Sequence, residues 1–202
     1  MRKFTLVATA CLFGLFLLQG TARAQTLDAA FGVGALSAPS ASSATGSYFP
    51  QSVRGGAFPD FSADFLFIGN QLGVGFNVAW RGNQSLYQSF QPFRPIFYDF
   101  NAVWVPPLSK KVKPELYAGI GAESIRFYTP YLTCSFVSCT NYVSSNHFMG
   151  DVGGGLRLYV WGHFFVRPEA QVFLIRNNVE FSSFHATRYG VSIGYTFGGS
   201  EY

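Results

Sequence analysis

Chemistry in this chain would have to come from few residues: 10 Asp+Glu, 14 Lys+Arg, three His and three Cys among 202. Two Ser/His neighbourhoods, Ser145-Asn146-His147 and Ser183-Phe184-His185, place a hydroxyl two positions from an imidazole. A nucleophile needs its base within hydrogen-bond reach, but such coincidences are frequent in polar loops, and neither specifies a reaction. His163 lies in a short turn sequence and reads as a solvated or interfacial residue. The Gly-x-Gly units at Gly32-Val33-Gly34, Gly73-Val74-Gly75 and Gly119-Ile120-Gly121 could cradle phosphate only if each joined a strand to a helix. No helical periodicity follows any of them, so they read as small residues on one face of a strand. Cys134 and Cys139, five positions apart, could close a ring or give half a metal site. His147 is the nearest histidine and stands alone, so a four-ligand metal site is not expected. No catalytic group and no cofactor is expected.

The largest chemically able group is ionic. Asp28, Asp60, Asp64, Asp99, Glu115, Glu123, Asp151 and Glu169, with Arg81, Arg157, Arg167 and Arg188, could make an acid–base pair, a cation site or a network of ion pairs. Which of these they make depends on the elements that carry them. The basic Arg2-Lys3, an apolar stretch from Phe4 to about Leu18, and Ala22-Arg23-Ala24 before Gln25 have the three-part layout of a secretory signal peptide. Cleavage is expected between Ala24 and Gln25, since the apolar core is short for a spanning helix of ~20 residues. Export places Cys134 and Cys139 in an oxidising compartment, where a loop disulfide is expected. Removing residues 1–24 leaves 178, one ordinary domain over 25–202. Arg2, Lys3 and Arg23 leave with the signal, and the 11 remaining basic residues nearly balance the 10 acidic ones. That balance gives no reason to expect nucleic acid as a partner.

Charged residues make up 12% of the chain, about half the usual ~25%, while aromatics reach 18%. After the signal no apolar run approaches the ~18 residues of a transmembrane helix. Few charges, many aromatics and no such helix is the composition of strands that face lipid. Eight alternating segments are expected as strands at 27–36, 58–67, 72–81, 94–105, 114–126, 147–160, 164–176 and 188–197. The connections are long after odd segments (37–56, 82–92, 127–146, 177–187) and short after even ones. The short ones hold Gly69-Asn70, the Pro106–Lys111 stretch and Trp161-Gly162-His163; Lys110, Lys111 and Lys113 read as solvated turn residues.

Successive strand residues face opposite ways. Leu72, Val74, Phe76, Val78 and Trp80 share one face, as do Phe164, Val166, Pro168, Ala170, Val172 and Leu174, and none is charged. The opposite faces carry the eight carboxylates, the four arginines and many glycines, including Gly153, Gly155 and Gly194. A soluble barrel also alternates, but it needs a charge-rich exterior that this chain cannot supply. The glycines suit the cramped interior of a small barrel. Aromatics near both ends of the apolar face (Phe67, Trp104, Trp161 and Phe197; Trp80, Tyr98, Phe148 and Tyr189) suit two membrane interfaces. Inside, Asp64, Asp99, Glu115, Glu123, Asp151 and Glu169 against Arg81, Arg157, Arg167 and Arg188 are expected to form a salt-bridged plug.

The signal sequence, the eight segments and the ending from Arg188 to Phe197 resemble the small outer-membrane barrels of the OmpA/OmpX-like superfamily. The resemblance implies an all-β fold, a single closed antiparallel eight-stranded transmembrane β-barrel in the bacterial outer membrane. It further implies a monomer that contacts outer-membrane lipid and is assembled by the barrel-assembly machinery through its C-terminal strand. This chain departs from the pattern by continuing from Gly198 to Tyr202. Some barrels of this size are lipid-modifying enzymes. A lipid A deacylase carries a His-x-Ser-Asn pattern, and Ser145-Asn146-His147 has the order wrong. The function expected is structural or surface-interacting, with long loops outside, a charge-plugged lumen and an unspecified surface ligand. A narrow porin-like channel and a lipid-modifying enzyme are the alternatives.

Overall fold

The computed structural model describes residues 25–38, 53–87, 90–134, 139–176 and 184–198. The signal sequence at 1–24 lies outside the described residues, as do most of the connections at 37–56 and 177–187. Among the described residues nine strands follow one another: β1 (Thr26–Ser37), β2 (Ala57–Ile68), β3 (Leu72–Trp80), β4 (Ser85–Tyr87), β5 (Gln91–Trp104), β6 (Val112–Cys134), β7 (Cys139–Trp161), β8 (Phe164–Ile175) and β9 (His185–Phe197). All pairings are antiparallel, and eight strands form a ring in the order β1, β2, β3, β5, β6, β7, β8, β9 and back to β1. Each therefore has a partner on both sides and offers no open edge to a neighbouring chain. β4 is a flap of three residues paired with β5 above the ring.

Local chemistry explains the short turns. Between β2 and β3, Gly69 (φ 59°) and Asn70 (φ 56°) both adopt the left-handed region, and the Gln71 amide donates to the Ile68 carbonyl at 3.0 Å. Positive φ at both central residues defines the type I′ turn that matches strand twist. Gly162 (φ 52°) serves the same purpose between β7 and β8.

Two connections differ from expectation. Residues 127–134 and 139–146 are strand and not loop: β6 and β7 continue as a paired ladder to Cys134 and Cys139, which are opposite each other and disulfide-bonded. Tyr128 faces Tyr142 and Phe127 faces Val143, cross-strand pairs of the kind that stabilise sheets. An irregularity between Tyr128 and Thr133, next to Pro130, breaks the alternation and conceals the strand in the sequence. Likewise 82–92 is not wholly loop, since β4 forms there and Tyr87 packs edge-on against Phe93 and Phe127.

The expected parity holds along the strands. Exposed positions include Phe31 at 60%, Ile120 at 60% and Ile193 at 65%, while Ala30 and Gly32 on either side of Phe31, and Ser192 and Gly194 on either side of Ile193, are buried on the inner face. Aromatic residues mark both ends of this wall, with Trp104, Trp161 and Phe197 at the short turns and Tyr98, Phe148 and Tyr189 toward the long connections. A wall of this kind would aggregate in water and is stable against hydrocarbon.

Candidate functional site

The lumen is built in layers, each set by which residues the strands turn inward. At the short-turn end Leu66, Val103, Val105 and Tyr117 make a small apolar floor, and the Tyr159 hydroxyl lies 3.2 Å from Thr196 Oγ1. Glycines make room for the rings. A Cβ at Gly194 would fall 2.2 Å from the Phe165 ring, and one at Gly153 would fall 2.5 Å from the Tyr117 ring.

Above this floor stand three arginines. Arg157 is fully buried over the Phe165 ring and bonds three carboxylates: Asp28, Glu115 and Asp64, the last at 2.8 Å. Arg167 bonds Glu115 at 3.0 Å and Glu169 at 2.9 Å, and donates to the Ser62 hydroxyl at 2.7 Å. Arg188 bonds Asp60 at 2.7 Å and also Glu169. Each of the three guanidiniums is thereby paired with two or more acids from different strands, which is how buried charge is made tolerable.

The next layer has no guanidinium. Gln171 donates to Asp151 at 2.9 Å and to Asp99 at 3.3 Å, and Asn77 donates to Asp99 at 3.3 Å and to Gln171 Oε1 at 3.1 Å. Asn101 also bonds Asp99. Within the expected lumen network, Asp99 and Asp151 are thus held by amides and not by a guanidinium. A cavity of about 10 Å³ separates the two layers, room for about one water. Asn77 and Asn101 are among the residues that line it, and their buried Oδ1 atoms accept no hydrogen bond among the described residues.

At the long-connection end the lumen turns apolar. Phe97 and Phe173 stack with centroids 4.7 Å apart and planes at 8°, surrounded by Phe58, Phe93, Ile125, Met149 and Ile175. Sequence reasoning missed this layer. Its signal was present, because Phe97 is in phase with Asp99 and Phe173 with Gln171. Arg81 belongs here and not to the acid network. Its guanidinium lies over Phe58 and Phe93 and donates to the carbonyls of Arg54 at 2.8 Å and Val53 at 3.3 Å. The layer of phenyl rings lies between it and the carboxylates below. Glu123 is buried beside His147 in the ladder.

His147 itself is 8% exposed and faces inward, with Nε2 3.1 Å from Ser145 Oγ. That is a nucleophile–base distance. The sequence had set these two residues two positions apart, and strand parity, which places such residues on one face, brings them together.

No protein-family model and no curated protein matches the sequence. Solved structures do share its fold. Neisserial surface protein A superposes with a TM-score of 0.57 at 11% identity, over 86% of this chain and 97% of that one. The N-terminal β-barrel domain of Pseudomonas aeruginosa OprF gives 0.52 at 13% identity over 88% and 100%. Ail, the attachment invasion locus protein of Yersinia pestis, gives 0.51 at 12% identity over 87% and 99%. The ring of eight strands and the apolar outer wall give this chain the same fold as these small outer-membrane β-barrels.

Proposed function

We propose that this protein is a surface-displayed barrel with a sealed lumen, whose long-connection end faces outward and carries the contact function. The observation that carries this reading is the filled interior. Three arginines tied to carboxylates, an amide layer and a stacked phenylalanine layer succeed one another, with a gap of only about 10 Å³ between the first two. A path for hydrated ions needs a continuous wet bore, and eight strands leave room only for side chains. Outward function then falls to the β6–β7 hairpin, where Tyr131 and Leu132 are 79% and 71% exposed. Neisserial surface protein A and Ail, which share the fold, carry surface and attachment in their names.

The reading includes signal cleavage between Ala24 and Gln25 and assembly by the barrel-assembly machinery through β9, which ends in the aromatic Phe197. It also includes a monomeric barrel, supported by the lack of an unpaired edge in the ring. Planar-bilayer recording tests the sealed lumen: the wild-type protein is expected to give no steady, well-resolved channels. Such channels would replace this reading with a transport one. Labelling of a cysteine placed at Tyr131 on intact cells tests the orientation, and reaction only after the outer membrane is opened would reverse it.

An enzymatic role is not part of the reading. Ser145 and His147 have the spacing of a catalytic pair, but His147 is turned into the packed interior, away from lipid on the outer wall. A fluorophosphonate ester is expected to leave the folded barrel unlabelled; labelling lost in Ser145→Ala would reinstate hydrolysis.

A further inference from the structure

We propose that Arg94 and Arg126 together hold a phosphate group of an outer-leaflet lipid. Strands β5 and β6 set these two arginines directly opposite each other in the ladder. Both point to the outer face, since Phe93 and Pro95 beside Arg94, and Ile125 beside Arg126, are turned inward and buried. Like charges in opposed positions repel. All eight carboxylates among the described residues are buried in the lumen, so none of them relieves that repulsion from the outer wall. Each guanidinium instead lies over a tyrosine: Arg94 is 5.9 Å from the Tyr128 ring and Arg126 is 4.7 Å from the Tyr142 ring. Arg94 also donates one N–H to the Gly82 carbonyl at 3.3 Å. Stacking fixes the planes of the two guanidiniums and leaves N–H edges available to a shared acceptor.

Height on the barrel identifies the occupant. Trp104 and Leu116 are ladder partners at the short-turn end, and both are exposed on the outer wall. Arg94 and Arg126 lie ten residues further along the same strands. At ~3.3 Å per residue and a tilt of about 40°, that is a rise of roughly 25 Å, the height of the apolar band of such barrels. With Trp104 at one interface, the arginine pair therefore stands at the other, where hydrocarbon gives way to headgroups. Below it the exposed Tyr98, Phe100 and Ile120 offer an apolar wall for acyl chains. A phosphate presents several acceptors to guanidinium forks, which bind it bidentately. A lipid is the carrier that delivers a phosphate to this height with its chains already against the wall. Assigning the leaflet rests on the outward orientation proposed above; the paired-arginine site itself does not.

The test uses the mature barrel in non-ionic detergent, with three probes: lipid A carrying both phosphates, the same lipid after phosphatase treatment, and inorganic phosphate alone. Native mass spectrometry is expected to show one phosphorylated lipid retained by the wild type and by Arg176→Gln, another outward arginine. The double variant Arg94→Gln/Arg126→Gln should bind it at least about tenfold more weakly, the loss expected for charge-assisted hydrogen bonds. Dephosphorylated lipid should bind the wild type as weakly. Stability gives a readout independent of binding. Without lipid the double variant should unfold at or above the wild-type midpoint, because a repulsion has gone. On adding phosphorylated lipid only the wild type should rise. Equal binding by wild type and double variant, or equal binding of the two lipid forms, would overturn the proposal. So would full stabilisation by inorganic phosphate, which would make this a free-ion site, or arginine-dependent binding of a soluble sulfated polysaccharide with none of lipid. Failure of the cysteine-labelling test above would move the site to the other leaflet without touching these results.

Discussion

Neighbouring residues of β8 meet two different solvents. Glu169 and Gln171 face the lumen and are buried, while Ala170 between them faces outward and is exposed. The inner wall is stable because nearly every polar group on it finds another: Glu169 meets Arg167 and Arg188, and Gln171 meets Asp99 and Asp151. The outer wall is stable for the opposite reason, the absence of polar groups over its middle, where Phe31, Phe100, Ile120 and Ile193 stand exposed. One pleat thus separates a surface that requires partners from one that forbids them. A single-residue register slip would exchange the two sets, so the register is strongly specified.

Breaking the inner wall should give the largest effect. Arg157→Ala leaves Asp28, Asp64 and Glu115 around an empty space. Removing one partner of a buried ion pair costs about 3–5 kcal/mol. Urea unfolding in lipid vesicles measures it, and an unchanged midpoint would mean that water, not arginine, solvates these acids.

The sharpest comparison uses two adjacent positions. Ala170 lies midway along the outer face of β8, between Phe164 and Arg176. Ala170→Arg should cost about 2–4 kcal/mol, the penalty for a cation near the bilayer midplane. Gln171→Arg places the same side chain one pleat inward, between two carboxylates that now lack a cation, and should cost clearly less. Equal costs at the two sites would show that crowding, not solvation, governs both.

A smaller effect is expected from volume alone. Gly194→Ala drives a methyl group toward the Phe165 ring under Arg157. Overpacking of this kind costs about 1–3 kcal/mol, and the measured midpoint should fall without any change in the charge layer. A fully tolerated alanine would mean that the Phe165 ring moves freely. The smallest effect belongs to the disulfide. Reducing Cys134–Cys139 should shift barrel unfolding by no more than about 0.5 kcal/mol, as for a surface change, because the hairpin tip can open by itself. Hydrogen exchange at the tip should nevertheless rise; protection unchanged on reduction would assign the tip's order to its Tyr128–Tyr142 contact.

Much of this was legible in the residues, because strand parity is local. A period of two sorts side chains onto two faces whatever the rest of the chain does, so the eight strands, the inward carboxylates and the aromatic ends of the wall follow from the sequence. The long hairpin was not legible, because Pro130 and the ladder irregularity interrupt its alternation, and the pairing of Tyr128 with Tyr142 exists only once β6 and β7 meet.

The sequence by itself therefore determined the eight strands of the ring, which face each charge takes and the short turns, where Gly69, Asn70 and Gly162 adopt positive φ. Only the tertiary structure decided which charges meet. Asp28 reaches Arg157 from 129 positions away, and Asn77 reaches Gln171 from 94. It also decided that Phe97 stacks on Phe173 above them, that Arg81 turns to backbone carbonyls, and that Arg94 faces Arg126 across a ladder. Parity assigns a side chain to a face, but height along the barrel and the neighbour across the lumen depend on strand stagger and ring closure, which no local pattern encodes.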